Sequence, residues 1–329
     1  MAGMADEGCV LCGATTREVV SDRDRHGGPL VTALCTGCGL VRNDPVPTQA
    51  ELDHFYGSAY RESYKGASAP RPRQIWRNFD TTRRHMAEFR DIYGRGGRWL
   101  DLGSGSGEFL YLARAAGAEA EGIEPHAGYS AYCREDLGLT VRTGTLEGAD
   151  YPPASFDLIR LSHVLEHMRD PVGTLSILRG WLRPDGVLYV EVPDIEEEAR
   201  NRIRGRLFHY GHINNFNPDT LRALAGLAGL AELPATAARS AGKTGIFLQA
   251  TDAIAPDPAR LAANAERMRA AMAEHNGRVL PRPPKESALS RFAGRMRQRL
   301  RDALQGARLK TPRAIAEDAA ARLSRSLRT

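Results

Sequence analysis

No run of the sequence stays apolar for the roughly 20 residues needed to cross a bilayer, and the N-terminus lacks the basic-then-apolar pattern of a secretory signal. A cytoplasmic location is expected, where thiols stay reduced. Cysteine is scarce, five in 329 residues, and the reduced compartment argues against disulfides among them. The GxxxxGK[ST] phosphate loop is absent, and so is the GxGxxG dinucleotide fingerprint. Excess charge of one sign is also missing from most of the chain. The net +5 arises from residues 285–329, where 12 Lys/Arg stand against 4 Asp/Glu, a local +8 that leaves the rest at −3. A basic tail on a slightly acidic body suggests an interaction segment and not a nucleic-acid cleft.

Four of the five cysteines form two pairs, Cys9-Val-Leu-Cys12 and Cys35-Thr-Gly-Cys38, separated by 22 residues. Each pair sets two thiolates on one turn, within reach of one tetrahedral ion at about 2.3 Å. Gly13 and Gly39 follow the pairs and permit the tight backbone of a knuckle. Four thiolates leave no open coordination position, so a structural Zn2+ is expected, which folds a module and does not catalyse. Cys133 falls in a helical pattern and is expected as a small buried hydrophobe.

The chain is long enough for two domains with appendages. Residues 1–47 form the expected zinc ribbon, 48–95 a helical linker or lid, 96–252 the main domain, and 253–329 an Ala/Arg-rich basic helical extension. One helix is expected over residues 74–94, ending at Gly94. From "RWLDLG" onward strands and helices alternate: "GEFLYLARAAG" is helical, "EAEGIEP" a strand, "FDLIRLS" a strand, "PVGTLSILRGWL" a helix, and "GVLYVEVP" a strand. Asn217 is the expected N-cap of the helix "NPDTLRALAGLAG". Alternation at this pitch indicates a doubly wound, mainly parallel α/β sheet.

In such sheets, ligands sit outside the carboxyl ends of the strands where the order reverses. At that edge stands Gly103-Ser104-Gly105-Ser106-Gly107, preceded by Asp101. An acid beside the first glycine suits a cofactor with a positive end, and "GIEP" places Glu124 where a carboxylate can accept both ribose hydroxyls. With these residues in view, "LDLGSGSG", "GIEP", "FDLIRLSHVLEHMRDP" and "LRPDGVLYVEVP" resemble the motifs of class I S-adenosylmethionine-dependent methyltransferases over residues 97–252. The resemblance implies a Rossmann-like seven-stranded sheet binding S-adenosylmethionine. Gly103, Ser104 and Gly105 would line the methionine end, with Asp101 behind them. Glu124 and Pro125 would border the ribose, Thr145 and Leu146 the adenine, and Ser162 and His163 the methionine and acceptor side. Many relatives carry an aspartate where Thr145 stands, so a backbone contact at Leu146 is expected to replace it. The N-terminal pattern "CVLCG…CTGCGLVRNDPVPTQAELDHFYGSAY" is similar to the ribbon of zinc-containing sugar C-methyltransferases.

Methyl transfer needs a donor and acceptor in line and a base for the acceptor proton. The segment "FHYGHINNF" (208–216) supplies Tyr210 and His212 after the fifth strand. They match the tyrosine and histidine of a Tyr-Glu-His segment in the sugar C-methyltransferases, whereas Gly211 replaces its glutamate. That replacement weakens the carbon-acid reading in favour of O- or N-methylation. His167 matches an active-site histidine of the same branch; the alternative is that Glu166 and His167 brace a helix start, and that His212 pins its loop. Tyr60 and Tyr64 are candidates for closing over a ligand. The tail sets Phe292, Met296, Leu300 and Leu304 on one face, expected to pack on the chain itself, on a second copy, or on an anionic membrane.

The favoured partner is a sugar-like small molecule: a sugar, a nucleotide sugar or a glycan precursor. The alternative is an RNA methyltransferase with a zinc-ribbon RNA-binding module. Against it, the fourth strand ends in "RLSHV" and not in an Asn/Asp-Pro-Pro-aromatic motif, and residues 1–47 mix Arg17, Arg23, Arg25 and Arg42 with six acids. Nucleic acid is therefore not the expected partner. A third reading, a scaffold without activity, conflicts with the intact glycine loop and Glu124.

Overall fold

A computed structural model describes residues 8–55, 70, 72–202, 205–234, 238–240, 243–278, 296 and 311–328. Tyr60, Tyr64, Phe292, Leu300 and Leu304 lie outside them; Met296 is exposed. Among the described residues, no helix is long and apolar enough to cross a membrane.

Seven strands follow one path whose order is β10-β12-β8-β7-β4-β5-β6, with β11 paired to β12. The seven are β4 (Gly97–Leu102), β5 (Ala118–Glu124), β6 (Thr140–Thr143), β7 (Phe156–Ser162), β8 (Leu182–Pro193), β10 (Leu230–Glu232) and β12 (Lys243–Ala250); β11 is Ala238–Ser240. Chain order reverses at β4, with β5 and β6 to one side and β7 to the other, which makes its carboxyl end a switch point. The expected doubly wound, Rossmann-like sheet is the one observed. By internal contacts the chain falls into two units, residues 1–64 with 161–279, and residues 65–160 with 280–329.

The second unit holds the parallel strands β4, β5 and β6 in register from Gly97↔Ala118 to Glu124↔Thr143. Helix α4 (Glu108–Ala115) starts where Gly107 takes a left-handed φ of 78°. Its Phe109 stacks on Trp99 of β4 with ring centroids 5.8 Å apart, and Tyr93 closes the same cluster. Each side chain so buried contributes about 1.5–3 kcal/mol. The single helix expected over 74–94 is two, α2 (Pro72–Glu88) and α3 (Arg90–Tyr93), because Phe89 leaves the helical region (φ −105°, ψ 40°). A C-terminal helix, α10 (Pro312–Arg328), buries Ile315, Ala316, Ala319 and Leu323 at spacings of three and four, and it packs on α2 and α4.

In the first unit β8, β12 and β10 pair antiparallel. A second sheet has the order β1-β2-β3-β9, from β1 (Arg17–Arg23), β2 (Pro29–Cys35), β3 (Val41–Asn43) and β9 (Asn214–Asn215). The ribbon thus recruits a strand more than 170 residues later in the chain. Leu34 and Val41 of this sheet share one apolar core with Ile195, Phe208, Met268 and Met272. Met268 and Met272 come from α9 (Pro258–Gly277), whose N-cap Asp257 accepts from Ala259 N–H. Asn264 of α9 is fully buried: its amide donates to Cys38 O at 2.8 Å and its oxygen accepts from Asn217 at 2.7 Å. Asn217 caps α8 (Pro218–Leu227), as expected, through a capping box with Thr220.

Candidate active site

The loop after β4 explains its own glycines. Gly103, Gly105 and Gly107 all have left-handed φ, of 77°, 54° and 78°. The third is closed in and the second is not: a Cβ on Gly107 would stand 2.6 Å from Leu139 Cδ1 and 2.8 Å from Cys133 Sγ, whereas one on Gly105 would meet nothing within 4 Å. Gly107 therefore serves packing, and Gly105 faces open space. Gly103 and Ser104 donate their N–H groups to Ile123 O at 2.8 and 3.1 Å, tying the loop to β5. Cys133, buried in α5 (Ala127–Glu135) as expected, donates its S–H to Gly105 O at 3.4 Å.

Glu124, at the end of β5, is buried and accepts from Gly105 N–H at 2.7 Å and from His126 N–H at 2.9 Å. A carboxylate offers about four acceptor positions, so two remain for hydroxyl donors. Sequence reasoning gave Glu124 to a ligand and missed that it also fixes the loop. It missed Gly122 too, whose added Cβ would stand 2.9 Å from Ser104 Cβ. Asp101 is fully buried, and Arg160 donates to its Oδ1 at 2.9 Å. Burial pushes its carboxyl up to about 6 against the pull of Arg160. Its Oδ2 and Ser104 Oγ are buried without a hydrogen-bond partner among the described residues. An open glycine, a braced carboxylate and two orphaned polar atoms fit a polar cofactor with hydroxyl and ammonium groups. Thr145 and Pro125 are exposed, whereas Leu146 is buried in a short 3₁₀ turn, Leu146–Gly148.

In the first unit, His163 has a left-handed φ of 55°, unusual for a residue with a side chain. That turn points the ring into a chain of acids, with Nδ1 3.3 Å from Glu166 Oε1 and Nε2 3.3 Å from Glu191 Oε1. Burial opposes its charge, but the bonds to Glu166 and Glu191 lift it to about 9. Glu166 is buried as well, yet the bond from His163 and the charge of His167 hold it down at about 2. Glu191 of β8 also accepts from Ser162 Oγ at 3.1 Å and Lys243 Nζ at 3.2 Å. Glu191 was not anticipated from sequence, because a lone acid in an apolar strand shows no motif.

His167 and His212 come together with ring centroids 5.0 Å apart, and His209 lies 5.3 Å from His212. His167 Nδ1 donates to Gly211 O at 2.6 Å. Burial, reinforced by His167, pulls His212 down to about 3, and burial with Arg25 pulls His209 to about 4. Tyr210 goes elsewhere: its ring packs 5.0 Å from Phe55 and joins the apolar core. The ribbon holds this loop, since Asn43 Nδ2 donates to Tyr210 O at 2.9 Å and Asn43 N–H to Ile213 O at 3.0 Å; Asn214 Nδ2 donates to Met168 O at 2.7 Å and ties the loop to the His167 turn.

The four ribbon cysteines carry free thiols, with Cys9 and Cys38 sulfurs 3.5 Å apart and Cys12 and Cys35 likewise. Sulfurs at about 2.3 Å from a tetrahedral ion stand about 3.8 Å from one another, so the donor set fits zinc. Gly13 and Gly39 turn the knuckles with φ of 73° and 78° and donate to Cys9 O and Cys35 O.

Residues 75–233 match the family described as "Methyltransferase domain". The C-methyltransferase NovU of Streptomyces niveus is 26% identical over 220 residues, 63% of this chain and 48% of that protein. A ubiquinone biosynthesis O-methyltransferase of Methylococcus capsulatus is 30% identical over 101 residues, 29% of this chain and 42% of that protein. The chain thus spans about half the length of the curated relatives it matches. Among solved structures, the 1,6-didemethyltoxoflavin-N1-methyltransferase of Burkholderia thailandensis, bound to 1,6-didemethyltoxoflavin and S-adenosylhomocysteine, superposes with a TM-score of 0.50 at 20% identity, over 67% of this chain and 96% of that one. At that identity the likeness concerns the fold. Sheet order and glycine loop agree with that match: over residues 75–233 the chain is similar to methyltransferase domains.

Proposed function

We propose that the chain methylates a small-molecule acceptor, a sugar, nucleotide sugar or glycan precursor, using S-adenosylmethionine. The observation that carries this reading is the Glu124 carboxylate clamped to Gly105 N–H at the open end of β4 and β5. When bound, the cofactor supplies an electrophilic methyl group on a sulfonium. Glu124 would accept hydrogen bonds from the ribose hydroxyls with its remaining lone pairs, the Leu146 backbone would border the adenine, and Gly103, Ser104 and Gly105 would receive the methionine end. On the acceptor side, His167, oriented by Gly211 O behind its Nδ1, would accept the acceptor proton at Nε2, with His212, kept neutral by its burial, packed against it. The four cysteines hold one structural Zn2+ that stiffens the ribbon and, through Asn43, the histidine loop. The relatives named a C-methyltransferase and an O-methyltransferase support a carbon or oxygen acceptor atom equally. The ribbon's β3 edge is taken by β9 and its Cys38 turn by Asn264, which supports a scaffold role for the zinc module over RNA reading.

The test is transfer of labelled methyl from S-adenosylmethionine to a panel of nucleotide sugars and free sugars. Incorporation into at least one is expected. Binding of S-adenosylhomocysteine with no incorporation would overturn the acceptor class, and absence of both would overturn the reaction.

A further inference from the structure

We propose that Glu166, His167 and His212 form a second metal site, distinct from the four cysteines, that takes a divalent transition cation such as Zn2+. One ligand atom from each lies within 4.8 Å of the others. Glu166 Oε1 and His167 Nε2 are 3.8 Å apart, close to the roughly 3.4 Å that separates two ligands at about 2.1 Å from a tetrahedral ion.

Two features beyond proximity point to a cation. Glu166 is 1% exposed, and its Oε2 has no hydrogen-bond partner among the described residues. A buried carboxylate oxygen left so costs about 1–3 kcal/mol or more, which an ion would offset. The second feature is the tautomer of His167. Its Nδ1–H is given to Gly211 O at 2.6 Å, which puts the ring's lone pair on Nε2, toward Glu166. Metal-bound histidines are held in this way by a carbonyl or carboxylate behind them. The carboxylate is supported likewise, by His163 Nδ1 at 3.3 Å.

The donor set selects the metal. Two imidazoles and one carboxylate suit zinc-class ions, whereas Mg2+ and Ca2+ prefer all-oxygen shells. Three protein ligands leave a position open, unlike the closed cysteine site. With the ion bound, the His167 lone pair is engaged and takes no proton, so an acceptor hydroxyl or carbonyl oxygen entering that position would instead be polarised by the ion. That use rests on the methyltransferase reading; binding of the ion does not.

The experiment uses the full chain, dialysed against a weak chelator and then equilibrated with Zn2+, with bound metal counted by plasma mass spectrometry. Wild type is expected to hold two equivalents, one resistant to the chelator and one exchangeable. Glu166→Gln and His212→Ala should keep the resistant ion and weaken the exchangeable one at least tenfold. Cobalt in the exchangeable site should give weak visible ligand-field bands without thiolate charge transfer. A single equivalent in wild type, or two in both variants with unchanged affinity, would overturn the site. S-adenosylhomocysteine binding, measured on the same samples, checks folding and reports separately on the cofactor reading.

Discussion

Glu124→Gln is the substitution from which most can be learned, because it keeps shape and removes charge. The wild-type carboxylate accepts two backbone N–H bonds, from Gly105 at 2.7 Å and His126 at 2.9 Å, and it is 6% exposed. Charged acceptors of this kind are worth about 1.5–3 kcal/mol each. The amide has one acceptor oxygen, so one bond survives in weakened form and the other N–H faces an NH2 group. The local loss should be about 2 kcal/mol, or roughly thirtyfold faster hydrogen exchange at the Gly105 and His126 amides. Under the proposed ribose role the hydroxyls would lose a charged acceptor as well, so S-adenosylhomocysteine should bind about 10–100-fold more weakly by calorimetric titration. Protection lost with affinity kept would reduce Glu124 to a loop brace. Both retained within twofold would refute the reasoning.

Three further outcomes are expected. Gly122→Ala sets a Cβ 2.6 Å from Leu110 Cδ1 and 2.9 Å from Ser104 Cβ, so it should cost about 1–3 kcal/mol and weaken cofactor binding, read by melting with and without S-adenosylhomocysteine; an unchanged melt would mean the loop yields freely. Asn264→Ala removes the bonds to Cys38 O and Asn217 and should cost about 2–3 kcal/mol while speeding zinc loss to a chelator; an unchanged loss rate would uncouple α9 from the ribbon. Asp101, raised from 3.8 to about 6 by burial, binds its proton more readily folded than unfolded, so its contribution is fully present below pH 4 and is lost as pH rises to about 6. Wild-type stability relative to Asp101→Asn should fall over that window by about 3 kcal/mol in urea melts, and parallel pH profiles would contradict it.

The alternating strands and helices were legible because each declares itself locally: "RWLDLG" and "FDLIRLS" are apolar runs of strand length, and Asn217 announces its helix. The glycine loop and Glu124 were legible for the same reason, being a motif at a predicted strand end. Long-range geometry was not. Nothing near Asn214 indicates that it pairs with Arg42, and nothing in α9 indicates that Asn264 reaches Cys38 across 226 residues. Residues 253–329 read as an Ala/Arg-rich basic helical extension, and the core role of α9 within it was hidden because its apolar face, Leu261, Ala265, Met268 and Met272, is diluted by alanine and arginine. Glu191 escaped notice because its importance lies in the partners gathered round it, Ser162, His163 and Lys243. The break at Phe89 was hidden because no proline or glycine marks it.

The central claim is that the open glycine turn beside Glu124 receives an adenosyl cofactor with a positively charged amino-acid end. Its most direct test is calorimetric titration of the wild-type chain with S-adenosylhomocysteine and, in parallel, with NAD. One saturable equivalent of S-adenosylhomocysteine, with no heat from NAD, is the predicted result. Binding of the nicotinamide, or of neither compound, would contradict the account.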